Sequence, residues 1–349
     1  MIDAKREMRT NNLTTLRAMD IRRRPKHNNN NHIMSLLTAW NSPPLVAATG
    51  VGVLVGLPFL DAVVSSGGMS LLALQGMNTG AFLLNMMAVG IPGRLDGRQD
   101  EEMRHGNINP GKNASSTEQT GLLAENRRNN LSAYDAARKR NLVNPAGWAF
   151  AIWGPIYLGE SVFVASQFFD SSVQSALPEL TVPFVAANVL QSLWCASFRP
   201  DYMDGWKKYV SAAMLGGTAA SLSLVHAAGN GVIGPFLIPL TMHLGWMTAA
   251  TLVNTNGSVA QENKVSDTAM VGIGHASVVA AGALGCGFTL LQSAPVYGLT
   301  LAWALSAVAS GIPDDNASDT IKKGSNVQQM LCRAAATGCL ASALYVLLM

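Results

Sequence analysis

The sequence predicts an all-α fold, a polytopic transmembrane bundle of about seven to nine helices. Three observations predict it. Of the 349 residues, 49% are hydrophobic and only 13% are charged, where ordinary soluble domains carry about 25% charged residues. Apolar runs long enough to cross about 30 Å of hydrocarbon at about 1.5 Å per residue recur along almost the whole chain. Finally, all 24 Lys and Arg fall on one side of the map that those runs define, the side that positive-inside topology assigns to the cytoplasm or an organelle interior. This composition leaves no room for a soluble catalytic domain, and no nucleophile and base are spaced for catalysis. The chain is therefore expected not to be an enzyme.

Residues 1–42 read as a disordered basic tail with eight Lys and Arg, among them Arg22, Arg23 and Arg24, followed by the run Asn28 to Asn31. Apolar runs at 45–64 and 69–91, with Gly67 and Gly68 between them, predict a membrane hairpin over 43–91. Residues 92–144 mix both charges with Asn, Gly and Ser and have no apolar period, so a polar, disordered linker is expected. A seven-helix membrane domain over 145–349 follows, with runs at 145–169, 181–198, 209–228, 233–255, 269–291, 296–311 and 329–349. With nine spans the N-terminus lies inside and the C-terminus outside. The sequons at Asn113, Asn130, Asn256 and Asn316 then fall on the basic side and should carry no glycan.

Three helices present Trp beside a hydrogen-bonding side chain. In the first, Phe150, Trp153, Tyr157 and Glu160 follow i, i+3, i+7, i+10 and share a helical face. A buried carboxylate in hydrocarbon needs a partner, so Glu160 should face the bundle interior. In the second, Gln191, Trp194 and Phe198 share a face with Asn188 one turn before. In the fourth, His243, Trp246, Ala250 and Asn254 form another stripe, one turn after Pro239. Aromatic walls with a few polar groups suit a large planar ligand, and they also suit an ordinary bundle core. His226 and His275 stand alone on Ala- and Gly-rich helices and read as structural. The four cysteines lack metal-ligand spacing, so neither a metal nor a bound cofactor is expected. Gly216, Gly217, Gly282, Gly285 and Gly287 read as close-packing positions. The basic tail lacks the interleaved aromatics of a nucleic-acid binder.

These residues resemble the translocator protein family, also called tryptophan-rich sensory proteins. The resemblance rests on Pro145, Gly147, Trp148 and Phe150 with Trp153 and Tyr157, then Gln191 and Trp194 with Phe198, then Leu244 and Trp246 with Ala250 and Asn254. It covers about 145–255. The Phe150 to Trp153 gap is one residue shorter than the family's usual pattern. The family has five helices, so the last three here, over 269–349, are expected to lack a family counterpart. The resemblance implies an all-α bundle, often dimeric, that binds tetrapyrroles or sterols through Trp148, Phe150, Trp153, Tyr157, Gln191, Trp194, Trp246 and Asn254. Glu160 and His243 join that set as the ionisable groups on the same faces.

The expected function is therefore an integral membrane binding or sensory protein for an apolar planar ligand such as a tetrapyrrole or sterol, with the lipid bilayer and a homodimer as partners. The alternative is a secondary transporter that uses Glu160, His243 and the helix breaks near Pro155 and Pro239. Prolines are present but no convincing internal repeat, which favours binding.

Overall fold

Prolines and capping side chains, more than the apolar runs themselves, set where the helices begin. The computed structural model describes residues 43–90, 136–197, 202, 204–311 and 317–349. The basic tail 1–42, most of the 92–144 linker, Phe198 and the sequons at Asn113, Asn130 and Asn316 lie outside the described residues. Among the described residues there is no strand. The long helices are α1 (Pro43–Ser65), α2 (Leu71–Gly90), α3 (Trp153–Ser166), α4 (Ser171–Ser197), α5 (Val210–Gly229), α6 (Leu237–Ala260), α7 (Asp267–Leu291), α8 (Pro295–Ala309) and α9 (Asp319–Leu348), with 3-10 turns at Gly147–Ile152, Gly205–Tyr209 and Gly234–Phe236.

Two helices start ten residues before the apolar runs that announced them. The α4 helix begins at Ser171 because Asp170 Oδ1 accepts from the backbone N–H groups of Ser172 at 2.9 Å and Val173 at 3.2 Å. That contact satisfies donors which the first turn leaves open. Likewise, α9 begins at Asp319 because Ser318 Oγ accepts from Ile321 N–H. At 30 residues it outruns the roughly 20 that a bilayer crossing needs.

The expected linker ends sooner than residue 144. Residues 136–140 are helical, and Arg140 is docked. Its Nε donates to Asp267 Oδ1 at 2.8 Å, Nη1 donates to the Ala260 carbonyl, and Nη2 donates to the Val265 carbonyl. Ser318 Oγ donates to the other oxygen of Asp267 at 2.6 Å, so one carboxylate joins the approach to α3, the start of α7 and the start of α9.

In the bundle, α6 packs on α3, α5, α7 and α8, while α7, α8 and α9 pack on one another. On the other side α5 packs on α4, and α4 carries the α1–α2 hairpin. Small residues set the close crossings. A Cβ on Gly282 would meet Ala335 at 2.8 Å, one on Gly285 would meet Cys339 Sγ at 2.3 Å, and one on Gly245 would meet Thr300 at 2.8 Å. The packing reading of Gly282 and Gly285 holds. Gly287 has nothing within 4 Å, and Gly216 makes only ordinary contact.

Large apolar side chains face outward and amides face inward. Leu158 is 71% exposed while Glu160, two residues on, is 0% exposed, and Asn78, Asn85, Thr181 and Gln191 are likewise fully buried. Water would favour the reverse; hydrocarbon favours this arrangement. Among the described residues five segments are long and apolar enough to cross a membrane, namely Gly147–Ser166, Gly205–Gly229, Gly234–Ala260, Asp267–Leu291 and Asp319–Leu348, and α8 is a shorter apolar helix. The chain is an integral membrane protein of all-α class.

Candidate functional site

The site begins at the break between the Gly147–Ile152 turn and α3. Pro155 stands in the first turn of α3, where its missing N–H costs nothing, but its ring would clash with the carbonyl of Ala151 in a continuous α-helix. The chain therefore winds as a 3-10 turn up to Ile152 and becomes α-helical only at Trp153. The single helix expected over 145–169 is thus two pieces, and Phe150 belongs to the turn. Backbone and indole bonds hold that turn on α8: Ala146 N–H donates to the Ala307 carbonyl at 3.0 Å, and Trp303 Nε1 donates to the Ala149 carbonyl at 3.0 Å.

From this start, Trp153, Tyr157 and Glu160 point into the bundle, all nearly or fully buried. Trp153 stacks on Tyr157 with centroids 5.2 Å apart and planes 16° apart. Trp246 of α6 meets Trp153 edge-on at 6.2 Å, and Phe150 meets Trp246 edge-on at 5.8 Å. His243, one turn before Trp246, meets Trp153 edge-on at 5.7 Å. Four rings and one imidazole thus form a nest, most of its pairs in the stacked or edge-to-face geometry that the ring quadrupole prefers, with Tyr157 and His243 tilted at 59°.

Within the nest, His243 Nδ1 lies 2.7 Å from Glu160 Oε1, with side chains 1% and 0% exposed. Whichever of the two holds the proton, the contact joins one donor to one acceptor. The approach depends on Gly159: a Cβ there would sit 2.5 Å from Pro239 Cβ, so only glycine lets α3 come this close to α6. The pair's outer atoms, Glu160 Oε2 and His243 Nε2, have no hydrogen-bond partner among the described residues. Leaving a buried polar atom unpaired costs about 1–3 kcal/mol, an outlay that functional sites tend to retain.

Tyr157 continues the polar path. Its hydroxyl accepts from Gln191 Nε2 at 3.0 Å, and Gln191 Oε1 accepts from Asn85 Nδ2 at 2.7 Å. Asn85 Nδ2 also donates to Asn188 Oδ1 at 3.1 Å. Asn85 lies on α2, and no sequence argument had placed that helix at the site. Farther along α2, Asn78 Nδ2 donates to Gln167 Oε1 and Thr181 Oγ1, and Gln75 Nε2 donates to the Gln167 carbonyl. The signal existed: Gln75, Asn78 and Asn85 stand at i, i+3, i+10, one stripe on an otherwise apolar helix.

Three of the expected residues lie away from the nest. Trp148 is 44% exposed and packs edge-on against Trp303 at 4.6 Å. Trp194 is half-buried and packs on both the main core and the cluster of Leu190, Tyr202, Val210 and Met214. Asn254 turns to α5, accepting from Ser211 Oγ at 3.0 Å and donating to the Ala250 carbonyl at 2.9 Å. The lone histidines have structural partners, His226 Nδ1 with Thr241 Oγ1 at 2.8 Å and His275 Nε2 with the Gly324 carbonyl at 3.1 Å. Among the described residues no group of three His, Cys, Asp or Glu could hold a metal ion. Beside the nest, an open apolar groove of about 330 Å³ runs between the start of α3, α6 and α8, lined by Ile152, Pro155, Met242, Leu299 and Trp303 among others. Ile152 and Met242 are the chain neighbours of Trp153 and His243, but the side chains of the nest do not themselves line the groove.

Compared with known protein families, residues 119–346 match the family described as TSPO-like protein, which is most of the chain. The match runs through α7, α8 and α9, so the last three helices, expected to lack a family counterpart, lie within the family-matched region. It also begins inside the expected linker, and α1 and α2 precede it. No curated protein and no solved structure matches the chain.

Proposed function

The chain belongs to the TSPO-like protein family, and from that premise we propose that it is a membrane binding or sensory protein whose aromatic nest holds an apolar planar ligand such as a tetrapyrrole or a sterol. One observation carries the reading. The nest of Phe150, Trp153, Tyr157 and Trp246 surrounds a buried Glu160–His243 pair that keeps two polar atoms unpaired. Ring walls supply contact area, and unpaired polar atoms supply orientation. The groove beside Ile152 and Met242 offers a lateral approach from the bilayer. On this reading the hairpin and the domain that follows it supply seven to nine spans, with the basic N-terminal side facing the cytoplasm or organelle interior.

A second reading, secondary transport, draws on the same buried titratable pair beside the helix break at Trp153 and the proline at 239. Equilibrium titration of the detergent-purified chain with protoporphyrin and with cholesterol tests the first reading. Saturable binding of either at one site per chain supports it. Absence of binding by both, with proton-coupled uptake into proteoliposomes, would replace it with the second.

A further inference from the structure

We propose that the outward face of α9 holds an anionic phospholipid, with Lys322, Lys323 and Arg333 at its phosphate headgroup and Leu340 and Leu344 along its acyl chain. Nothing in this depends on what the aromatic nest binds.

One face of α9 changes character along its length. From Lys322, the residues Asn326, Arg333, Thr337, Leu340 and Leu344 follow at i+4, i+11, i+15, i+18 and i+22, all within about 60° of it around a 3.6-residue helix. All six are exposed, and so is Lys323. The opposite face carries the packing: a Cβ on Gly324 would meet Val271 of α7, Gln328 Nε2 donates to the Gly274 carbonyl, and Cys332, Ala336 and Cys339 are buried. The first half of the outward stripe is thus cationic and polar and the second half apolar, the order in which a phospholipid presents headgroup and chain. Ser318, which caps α9, is bonded to Asp267, the partner of Arg140, so the cationic half lies at the charged end of the bundle.

Arg333 stands four residues inside the apolar run 329–349, about 6 Å past its start, yet no carboxylate among the described residues pairs with it. A guanidinium at that depth is costly unless it snorkels to an anion at the boundary, and a phosphate can accept two of its parallel N–H donors. Lys322 and Lys323 stand about 10 Å outside the same boundary, where their flexible stems reach the solvated side of the headgroup layer. Asp319, the one carboxylate on α9, lies in its first turn, where the helix dipole favours it. A zwitterionic lipid would bring a cation against these three, and a second copy of this face would bring the same cations. Charge complementarity therefore selects an anionic lipid.

The test titrates the full chain, in neutral detergent, with phosphatidylglycerol and with phosphatidylcholine of the same acyl chains. Native mass spectrometry counts the bound lipid, and melting temperature is recorded alongside. The wild type is expected to prefer phosphatidylglycerol by about tenfold, since each Lys or Arg at a membrane surface is worth about fivefold. Arg333→Gln is expected to remove about fivefold of that preference with the lipid-free melting temperature unchanged. Arg333→Lys should fall between the two, because it keeps the charge and loses the fork. The double variant Lys322→Gln, Lys323→Gln should also lower the preference. Lys264→Gln, which removes an exposed cation on the α6–α7 loop, should leave it intact. Equal binding of the two lipids by the wild type overturns the proposal, as does a preference that Lys264→Gln lowers as much as Arg333→Gln. Arg333→Gln with a lowered melting temperature or a changed oligomeric state, but an intact preference, makes this face structural or a contact between copies and overturns it too. Competition by glycerol phosphate, the headgroup without its chains, would make this a site for a soluble anion and overturn the lipid assignment.

Discussion

A Cβ built on Gly159 would lie 2.5 Å from Pro239 Cβ, and neither atom belongs to a flexible side chain that could swing aside. Gly159→Ala must therefore push α3 off α6, and the first contact to lengthen is Glu160 to His243. Overpacking of this kind costs about 1–3 kcal/mol. Gly154→Ala is the natural comparison, because a Cβ there meets nothing within 4 Å, so the gain in helix propensity of up to about 1 kcal/mol is free to appear. Thermal unfolding in detergent should place the two variants on opposite sides of the wild type. A neutral Gly159→Ala would mean that the helices adjust and that the pair's approach does not depend on this glycine. Trp153, Tyr157, Glu160, His243 and Trp246 were all legible in the sequence, because helical spacing puts rings and polar groups on one face. The partnership of Glu160 with His243 was not, since nothing in either stripe states which helices meet.

Among the elements, α4 and α9 show what apolar runs leave out. Asp170 and Ser318 stand immediately before long helices as caps, a local signal carried by single polar residues, while the hydropathy that dominated the reading only rises ten residues later. The α2 helix shows the complementary failure: its apolar character marked it as a span and hid the amide stripe that ties it to α4 and Tyr157.

The loop from α6 to α7 yields a pH prediction. Lys208 and then Tyr209, bonded to Glu262 at 2.8 and 2.9 Å, hold its carboxyl below the ordinary value of 4.5. A lowered carboxylate contributes stability that is complete above its ordinary value and is lost as pH falls through the lowered one. Glu262→Gln should therefore be less stable than the wild type at neutral pH, by a small amount because the group is exposed and screened. The gap should close as the pH drops below 4.5. A gap that persists unchanged in acid would mean that the ion pair contributes nothing.

Across the whole molecule, charge and polarity divide by place. Arg140 with Asp267, Lys208 with Glu262, and Ser318 with Asp267 gather at one end of the bundle. Among the described residues the links at the other end involve no Lys or Arg, as where Asn230 donates to the Gln292 carbonyl and Asp170 caps α4. This agrees with the single-sided map of Lys and Arg, which was legible because charge placement depends only on counting loops. Which buried polar atoms stay unpaired was not legible, because that depends on how every helix packs, and those atoms come from α2 and α6 as well as α3.

The central claim is that the nest around Trp153 and Trp246 binds a ligand rather than merely filling the core. Both rings are nearly buried, so Trp→Ala at either position will cost stability, about 3–5 kcal/mol if they serve only as core. The deciding measurement is ligand affinity per folded molecule for wild type, Trp153→Phe and Trp153→Ala, with melting temperature recorded on the same samples. The account predicts that Trp153→Ala weakens binding of the wild type's ligand by about 1–3 kcal/mol among the molecules that remain folded, and that Trp153→Phe loses less because a ring face remains. Lowered melting temperatures with unchanged affinity per folded molecule would contradict it.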